Sequence, residues 1–246
     1  MKLTFLGTSH GVPEAHRRCS CTMLTFGEGA NQRTYFVDMG ADASEDLVTR
    51  GIPLATTKAI FITHKHGDHT NGLIPFIDLA NWFFKTSAFT VYLPKPGISD
   101  TINHWLKLVG TDVRDDIRYD LVKTGTFYDD GFLKVTAYPT LHCDDSYAFL
   151  IEAEGKRLLF TGDLKHRDPA ADFPVSTGTD KPLDIAVCEC AHFDASLYEP
   201  IFKQMKLGLV VYNHYQPRKI GGLYQMIAAM PELPQKVATD GLEIVL

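Results

Sequence analysis

Long hydrophobic runs are absent from this sequence of 246 residues. Apolar residues never form a stretch of about 18, and residues 1–6 carry no signal-peptide segment. These absences exclude a membrane-spanning helix and favour a cytoplasmic protein without a membrane partner. Hydrophobic residues make up 45% of the chain and charged residues 22%, which allows a sizeable core and excludes extended disorder. The length predicts a single domain over residues 1–246.

An excess of positive charge is also lacking. Lys and Arg total 24 against 30 Asp and Glu, so the formal net charge is −6 at pH 7 with histidine neutral. Because the phosphates of nucleic acids attract basic surfaces, an acidic protein is a poor general binder of nucleic acid. An anionic substrate would therefore need a local positive feature, and a pair of metal ions would supply one.

Cysteine is scarce, and its pattern argues against disulfide bonds. The sequence has five cysteines: Cys19, Cys21, Cys143, Cys188 and Cys190. An odd count in a cytoplasmic protein does not indicate a disulfide framework. Two pairs have the CxC spacing that can bind zinc, but both lie in stretches typical of strands, and a structural zinc needs four convergent ligands. We do not expect a cysteine zinc site, and a role for these residues beyond packing stays open.

Short apolar segments bounded by Gly, Pro, Asp or Asn are abundant, which is the pattern of β-strands. They cover residues 2–6, 21–26, 33–38, 58–62, 89–93, 132–137, 147–152, 157–161, 184–189 and 208–212. Helical spacing of apolar residues predicts helices at 42–49, 70–84, 100–109 and 218–230, and residues 166–182 indicate a surface loop. Because strands outnumber helices, we expect an α/β (α+β) protein in which two β-sheets form a sandwich with helices on the outer faces.

The strongest chemical signal is the segment THKHGDH at residues 63–69, directly after a predicted strand. Three imidazoles and a carboxylate fall close together: His64, His66, Asp68 and His69. Alternate residues His64 and His66 can face one metal ion, while Asp68 and His69 turn to a second. Imidazole and carboxylate groups suit Zn²⁺, Mn²⁺ or Fe²⁺, and Gly67 permits the tight backbone path. The alternative is a solvated, histidine-rich loop, which this density of histidine disfavours.

Two coordination spheres need further ligands from elsewhere in the chain. Three candidates stand at the ends of predicted strands: His142, Asp163 and His214. Each alone is more often an ordinary loop residue, but side chains at strand ends commonly assemble a site. Together they would supply what the first cluster lacks.

The order THKHGDH, lone histidine, TGD and final histidine resembles the metallo-β-lactamase superfamily. The resemblance implies an αββα sandwich of two mixed β-sheets flanked by helices. It also implies two divalent metal ions, Zn²⁺ or Mn²⁺, with Fe as a third option. One ion would be bound by three histidines: His64, His66 and His142. The other would be bound by Asp68, His69 and His214, with Asp163 bridging both.

Shorter motifs indicate a branch of this superfamily. LGTSHGVP at residues 6–13 resembles the opening loop of ribonuclease Z. RRCS at 17–20, CECAH at 188–192 and TDGLEI at 239–244 are similar to phosphoribosyl cyclic phosphodiesterases. The extra cysteines that bind a structural zinc in those phosphodiesterases are largely missing here, as is the long arm with which ribonuclease Z grips transfer RNA. Transfer RNA is therefore not expected as a partner, whereas the resemblance suggests a homodimer.

Two features of the pattern narrow the substrate class. Asp163 stands where true β-lactamases have a cysteine, which disfavours β-lactams, and the flanking motifs favour a small-molecule phosphoester. The predicted function is hydrolysis of a small cyclic phosphate or nucleotide-like ester by a hydroxide that bridges the two metals. The alternatives are a thioester or lactone hydrolase of the same fold, and a metal-binding sensor without turnover.

Four residues receive roles around the metals. Asp68 would orient the attacking hydroxide as well as bind metal. His192 matches the family's catalytic histidine and would protonate the leaving alkoxide, unless it is an ordinary loop histidine. Glu189 would orient His192 or stand behind the ligands, and Asp38 would either hold a metal-binding histidine or cap the following helix.

Two more groups of polar residues have weaker assignments. Arg17 and Arg18 would equally well meet a phosphate or face solvent. His104 and His166 are expected on the surface. None of these residues is needed to complete the predicted metal site.

Overall fold

A computed structural model describes residues 1–29 and 31–246 in full and residue 30 by its backbone. The chain divides into two compact units. Unit 1 comprises Met1–Gly7, Gly11–Val122 and Asp240–Leu246, and unit 2 comprises Thr8–His10 and Lys123–Thr239. The assignment of the whole chain to one domain stays a prediction.

Strands dominate both units. In chain order they are β1 (Lys2–Gly7), β2 (Cys21–Phe26), β3 (Arg33–Met39), β4 (Thr57–Phe61), β5 (Phe89–Leu93), β6 (Ile117–Leu121), β7 (Gly125–Asp129), β8 (Leu133–Pro139), β9 (Tyr147–Ala153), β10 (Lys156–Phe160), β11 (Leu183–Cys190), β12 (Leu207–Tyr215), β13 (Gln235–Val237) and β14 (Glu243–Val245). The α-helices are α1 (Ser44–Thr49), α2 (Gly67–Thr70), α3 (Leu73–Trp82), α4 (Ile98–Leu108), α5 (Ser176–Thr179), α6 (Glu199–Phe202) and α7 (Ile220–Ala229). Short 3-10 turns occupy Gly29–Asn31, Leu54–Thr56, Pro169–Ala171, Ala195–Tyr198 and Pro217–Lys219.

The sheet of unit 1 is mixed, in the order β14-β1-β2-β3-β4-β5-β6. Strands β14 to β3 pair antiparallel, and β3 to β6 pair parallel. Parallel strands are usually covered by the helices that connect them. Accordingly Phe76 of α3 and Leu106 of α4 share one buried cluster with Ile60 of β4. This packing fixes the end of β4, from which the segment 63–69 emerges.

The sheet of unit 2 is also mixed, in the order β13-β12-β11-β10-β9-β8-β7. Strands β7 to β10 pair antiparallel, whereas β10, β11, β12 and β13 run parallel. Residues two apart on a strand face the same side, so Cys188 and Cys190 of β11 both enter a buried cluster with Leu223 of α7. The parallel strands β10, β11 and β12 lead directly to the segments that carry Asp163, His192 and His214.

Every strand and helix predicted from the sequence is present, with ends shifted by a few residues. Four strands were not predicted: β6, β7, β13 and β14. The first two have mostly exposed or half-buried residues, and the last two are three residues long, so none shows an apolar run. The prediction of a surface loop at 166–182 is wrong, because this stretch contains α5 and buries Phe173 and Thr177.

Cys188 and Cys190 lie in a strand, β11, as expected. Of the other pair, only Cys21 lies in a strand, β2, and Cys19 precedes that strand.

The described helices are all too short or too polar to cross a membrane.

Candidate metal centre

In unit 1 the segment after β4 brings two imidazoles together edge to face, with ring centroids 4.7 Å apart. The amide of Ile62 still donates to the carbonyl of Tyr92, so the chain leaves the sheet only after this residue. His64 then lies fully buried, and its Nε2 stands 3.1 Å from Nδ1 of His66. Two nitrogens this close suit a shared cation, because two ligand atoms about 2.1 Å from one tetrahedral ion stand about 3.4 Å apart.

The second pair of unit 1 lies on the short helix α2. Nε2 of His69 is 3.5 Å from Oδ2 of Asp68. The same carboxylate oxygen accepts a hydrogen bond from the amide of Gly11 at 3.0 Å. Gly40 packs against this turn so closely that a Cβ at position 40 would lie 1.7 Å from the carbonyl oxygen of Asp68. Asp68 is therefore held by the main chain on two sides.

Asp38 lies behind this pair and contacts both His69 and Thr63. Its Oδ2 is 2.8 Å from Nδ1 of His69, and its Oδ1 accepts the amide of Thr63 at 2.8 Å. Asp38 is 5% exposed and has a left-handed backbone, with φ of 60°. The amide of Ser44, the first residue of helix α1, donates instead to Oδ1 of Asp42 at 2.9 Å. Of the two roles left open by the sequence, the contacts of Asp38 match the one that holds a histidine.

Unit 2 gathers three histidines around one carboxylate oxygen. Oδ2 of Asp163 lies 3.4 Å from Nε2 of His214, 3.6 Å from Nε2 of His142 and 3.8 Å from Nδ1 of His192. Asp163 is 3% exposed and His214 4% exposed. His214 also has a left-handed backbone, with φ of 47°, just before the end of β12. The ligand atoms of His142, Asp163 and His192 all lie within 4.8 Å of one another, a spacing that could hold a metal ion.

Glu189 fixes His192 through both carboxylate oxygens. Oε1 is 2.9 Å from Nδ1 of His192 and accepts the amide of Leu164 at 3.0 Å. Oε2 accepts the amides of Ala191 at 2.7 Å and of His192 at 3.2 Å. Glu189 is 2% exposed, so a carboxylate there requires these donors. With Nδ1 of His192 turned to Glu189, its Nε2 is the nitrogen left for chemistry.

Lys219 supports the same loop and was not singled out from the sequence. Its Nζ donates to the carbonyl oxygens of Ala191 at 3.0 Å and Phe193 at 2.9 Å, one on each side of His192. Side-chain contacts with main-chain carbonyls leave no motif, so no sequence signal pointed to this residue.

Arg17 and Arg18 both form ion pairs, and the side chain of Arg18 is 41% exposed. Arg18 donates to Oδ2 of Asp46 at 2.7 Å and to the carbonyl of Leu6 at 2.6 Å. Burial alone would lower the pKa of Arg18, but the hydrogen bond and charge of Asp46 raise it. Arg17 pairs with Glu14 at 3.1 Å. Both guanidinium groups thus serve contacts within unit 1.

His166 is exposed, as expected, with its ring centroid 6.3 Å from that of His192.

Four of the five cysteines lie in environments that raise the pKa of the thiol. Burial raises the pKa of Cys19, and the negative charge of nearby Asp68 raises it further. Burial also raises the pKa values of Cys21, Cys188 and Cys190. Because the thiolate is the form that binds metal, these environments do not favour cysteine ligation.

The donor chemistry of both units fits divalent metals. Imidazole and carboxylate groups are the ligands of zinc, manganese and non-haem iron sites. Several neighbouring donors lie between 3.1 and 3.6 Å apart, close to the edge of a tetrahedral site. The contacts of His69 with Asp38 are of the kind that orient metal-bound histidines.

Solved structures place the chain in a fold class. It resembles the metallo-β-lactamase fold protein YhfI from Bacillus subtilis, with a TM-score of 0.76 and 18% identity over 99% of this chain and 98% of that one. A diphosphatase from the PhnP family gives a TM-score of 0.66 and 17% identity over 100% and 97% of the two chains. The predicted fold class is confirmed: two mixed β-sheets flanked by helices, in the metallo-β-lactamase fold.

Sequence comparison defines the family. The family model described as anti-Pycsar protein Apyc1 matches residues 1–176, so the chain belongs to that family. The chain is also 33% identical over 156 residues to ribonuclease Z of Shouchella clausii, covering 63% of this chain and 49% of the relative. It thus spans about half the length of the curated relatives it matches. The predicted resemblance to the ribonuclease Z and phosphodiesterase branch is confirmed, and the relatives' names are those of hydrolases, as the sequence predicted.

Proposed function

We propose that this protein is a binuclear metal-dependent phosphodiesterase that hydrolyses a small cyclic phosphate or nucleotide-like ester. The observation that carries the proposal is Asp163, a buried carboxylate whose Oδ2 stands 3.6 Å from Nε2 of His142 and 3.4 Å from Nε2 of His214. A carboxylate in this position would hold metal together with these two histidines. The proposed metal ligands are His64, His66, Asp68, His69, His142, Asp163 and His214.

When bound, two divalent ions would lower the pKa of water from about 15.7 towards about 7 and provide positive charge that attracts a phosphate. Zn²⁺ and Mn²⁺ are the proposed metals, and Fe suits the same ligands. Local attraction of this kind is needed because the chain as a whole has a net charge of −6.

The chain's own residues position and protonate the reacting groups. Asp68 accepts a hydrogen bond from the attacking water and aligns it with phosphorus, while the amide of Gly11 keeps its carboxylate in place. His192 holds a proton on Nε2 and donates it to the leaving oxygen. The carboxylate of Glu189 at Nδ1 stabilises the imidazolium form that this step requires. The buried position of Glu189 and its hydrogen bonds from three main-chain amides keep this geometry fixed.

The proposed substrate is a small molecule. Relatives of the chain include ribonuclease Z, but the acidic charge of this chain favours a small phosphoester over transfer RNA. The proposed assembly is a homodimer.

Turnover of cyclic and linear phosphodiesters, with bis-p-nitrophenyl phosphate as the first probe, tests the proposal in the presence of Zn²⁺ or Mn²⁺. We expect metal-dependent hydrolysis, and His64→Ala should lower it by more than about 100-fold, beyond the effect typical of residues behind the ligands. His104→Ala is the matched control, because His104 is exposed on α4. Hydrolysis of thioesters or lactones, without hydrolysis of phosphodiesters, would favour the alternative of a thioester or lactone hydrolase. Metal binding without any turnover would favour a sensor.

A further inference from the structure

One carboxylate joins the two segments of unit 2 that carry His142 and Asp163. Oδ2 of Asp172 accepts the amide of Leu141 at 2.6 Å and the amide of Lys165 at 2.9 Å. Leu141 directly precedes His142, and Lys165 follows Asp163 by two residues. A single oxygen atom therefore ties the backbones of both segments to one point.

We propose that Asp172 is a positioning residue that sets the separation of His142 and Asp163, and that metal binding by these two side chains depends on it. This inference rests on the proposed function for its consequence in catalysis. Its structural part concerns unit 2 alone. Asp172 is not among the site residues predicted from the sequence.

The neighbouring contacts support this role. A second hydrogen bond joins the same two segments: Oγ1 of Thr140 donates to the carbonyl of Asp163 at 2.9 Å. The segment from Thr140 to His142 is thus attached to the Asp163 segment twice, directly at Thr140 and through Asp172 at Leu141. If Asp172 is removed, two amides lose their acceptor and one of these attachments is lost. His142 and Asp163 would then keep their side chains but lose their fixed spacing of 3.6 Å.

The second oxygen of Asp172 indicates that the residue is not present for stability alone. Oδ1 is buried and has no hydrogen-bond partner among the described side and main chains. A buried, unpaired carboxylate oxygen destabilises a fold. A carboxylate retained under that penalty is best explained by what its other oxygen does, which is to hold the two ligand-bearing segments together.

The first test is Zn²⁺ affinity, measured by competition with a chromogenic chelator. Asp172→Ala should weaken binding about 10- to 100-fold, as removal of groups behind metal ligands typically does. Asp172→Asn keeps an oxygen acceptor and should recover most of the affinity. Asp172→Glu keeps the charge but moves it by one methylene, and should bind as weakly as the alanine variant. Asp168→Ala is the matched control, because Asp168 is exposed and its carboxylate contacts the side chain of Lys165.

Unchanged affinity in a folded Asp172→Ala protein overturns the inference. If that variant does not fold, Asp172→Glu decides in the same way. The metal-free protein gives a second measurement, because histidine-selective NMR reports the ring nitrogens of His142 directly. The chemical shifts of these nitrogens should change in Asp172→Ala and Asp172→Glu and stay unchanged in Asp168→Ala. Identical His142 signals in all variants would also overturn it.

These measurements separate the inference from the proposed function. A wild-type protein that hydrolyses no phosphodiester, with Zn²⁺ affinity or His142 signals that still depend on Asp172, would overturn the function and support the inference. Hydrolysis by the wild type, with Zn²⁺ affinity and His142 signals that do not depend on Asp172, would support the proposed function and overturn the inference.

Discussion

Oδ2 of Asp38 lies 2.8 Å from Nδ1 of His69, and both side chains are almost completely buried. The same carboxylate accepts the amide and the hydroxyl of Thr63. A carboxylate at Nδ1 makes that nitrogen the donor, so Nε2 of His69 carries the lone pair and faces Asp68. Asp38 therefore determines which nitrogen of His69 can bind a metal.

Asp38→Asn tests this arrangement. An amide in place of the carboxylate removes the charge that selects the tautomer, so we expect the metal affinity to fall about 10- to 100-fold. Isothermal titration with Zn²⁺ measures the change. Asp42→Asn, two residues before the start of α1, should bind Zn²⁺ like the wild type. Equal affinities for both variants would show that His69 does not depend on Asp38.

Lys219→Met tests the support of the His192 loop. Without Nζ the carbonyls of Ala191 and Phe193 each lose a donor, although Nε2 of Gln216 still donates to Ala191, and His192 shifts relative to the substrate. We expect kcat to fall about 10- to 100-fold, because small displacements of reacting groups have effects of that size. The metal content should not change, since the ligands keep their own contacts. Lys203→Met is the control, because Lys203 pairs with Glu199 on the surface. A kcat equal to that of the wild type would refute this role of Lys219.

Gly40→Ala tests the close packing behind Asp68. The added Cβ would lie 1.7 Å from a main-chain oxygen, which cannot move without displacing α2. We expect a loss of roughly 1–3 kcal/mol in the free energy of unfolding, typical of overpacking, together with weaker metal binding. Urea denaturation measures the first effect. Gly221→Ala in α7 has open space at its Cβ and should instead be neutral or stabilising by up to about 1 kcal/mol. Equal effects of the two substitutions would contradict the steric argument.

Glu152→Gln tests the pH dependence of stability in unit 2. Burial by itself would raise the pKa of Glu152, but the hydrogen bond and charge of Lys134, with Arg157, lower it. The carboxylate therefore stabilises the fold above its unfolded pKa of about 4.3, and this contribution is lost as the pH falls through the lower folded value. At pH 7 the variant should be less stable by about 0.5 kcal/mol, a size typical of solvent-screened ion pairs.

The measurement is urea unfolding at neutral pH and again in the acid range, where the variant and wild type should converge. Glu232→Gln is the control, because Glu232 is exposed. A difference between Glu152→Gln and the wild type that stays constant with pH would exclude the ionic explanation.

The sequence predicted those parts of the structure whose signal is local. His64, His66, Asp68 and His69 are neighbours in the chain, and their histidine density is visible without any fold. The apolar runs before Asp163 and His214 predicted the strands that carry them. By contrast, Asp172 contacts an amide 31 residues away and Lys219 a carbonyl 28 residues away. Such contacts depend on tertiary structure and on main-chain atoms that every residue has, so no residue pattern indicates them.

The left-handed backbones of Asp38 and His214 have a consequence for engineering. Each conformation costs an L-residue about 1–3 kcal/mol, and glycine or asparagine would adopt it more readily. A library selected for heat resistance alone should therefore enrich glycine or asparagine at positions 38 and 214, while one selected for metal uptake should retain aspartate and histidine. The two positions are where thermal tolerance and activity are set against each other in this chain.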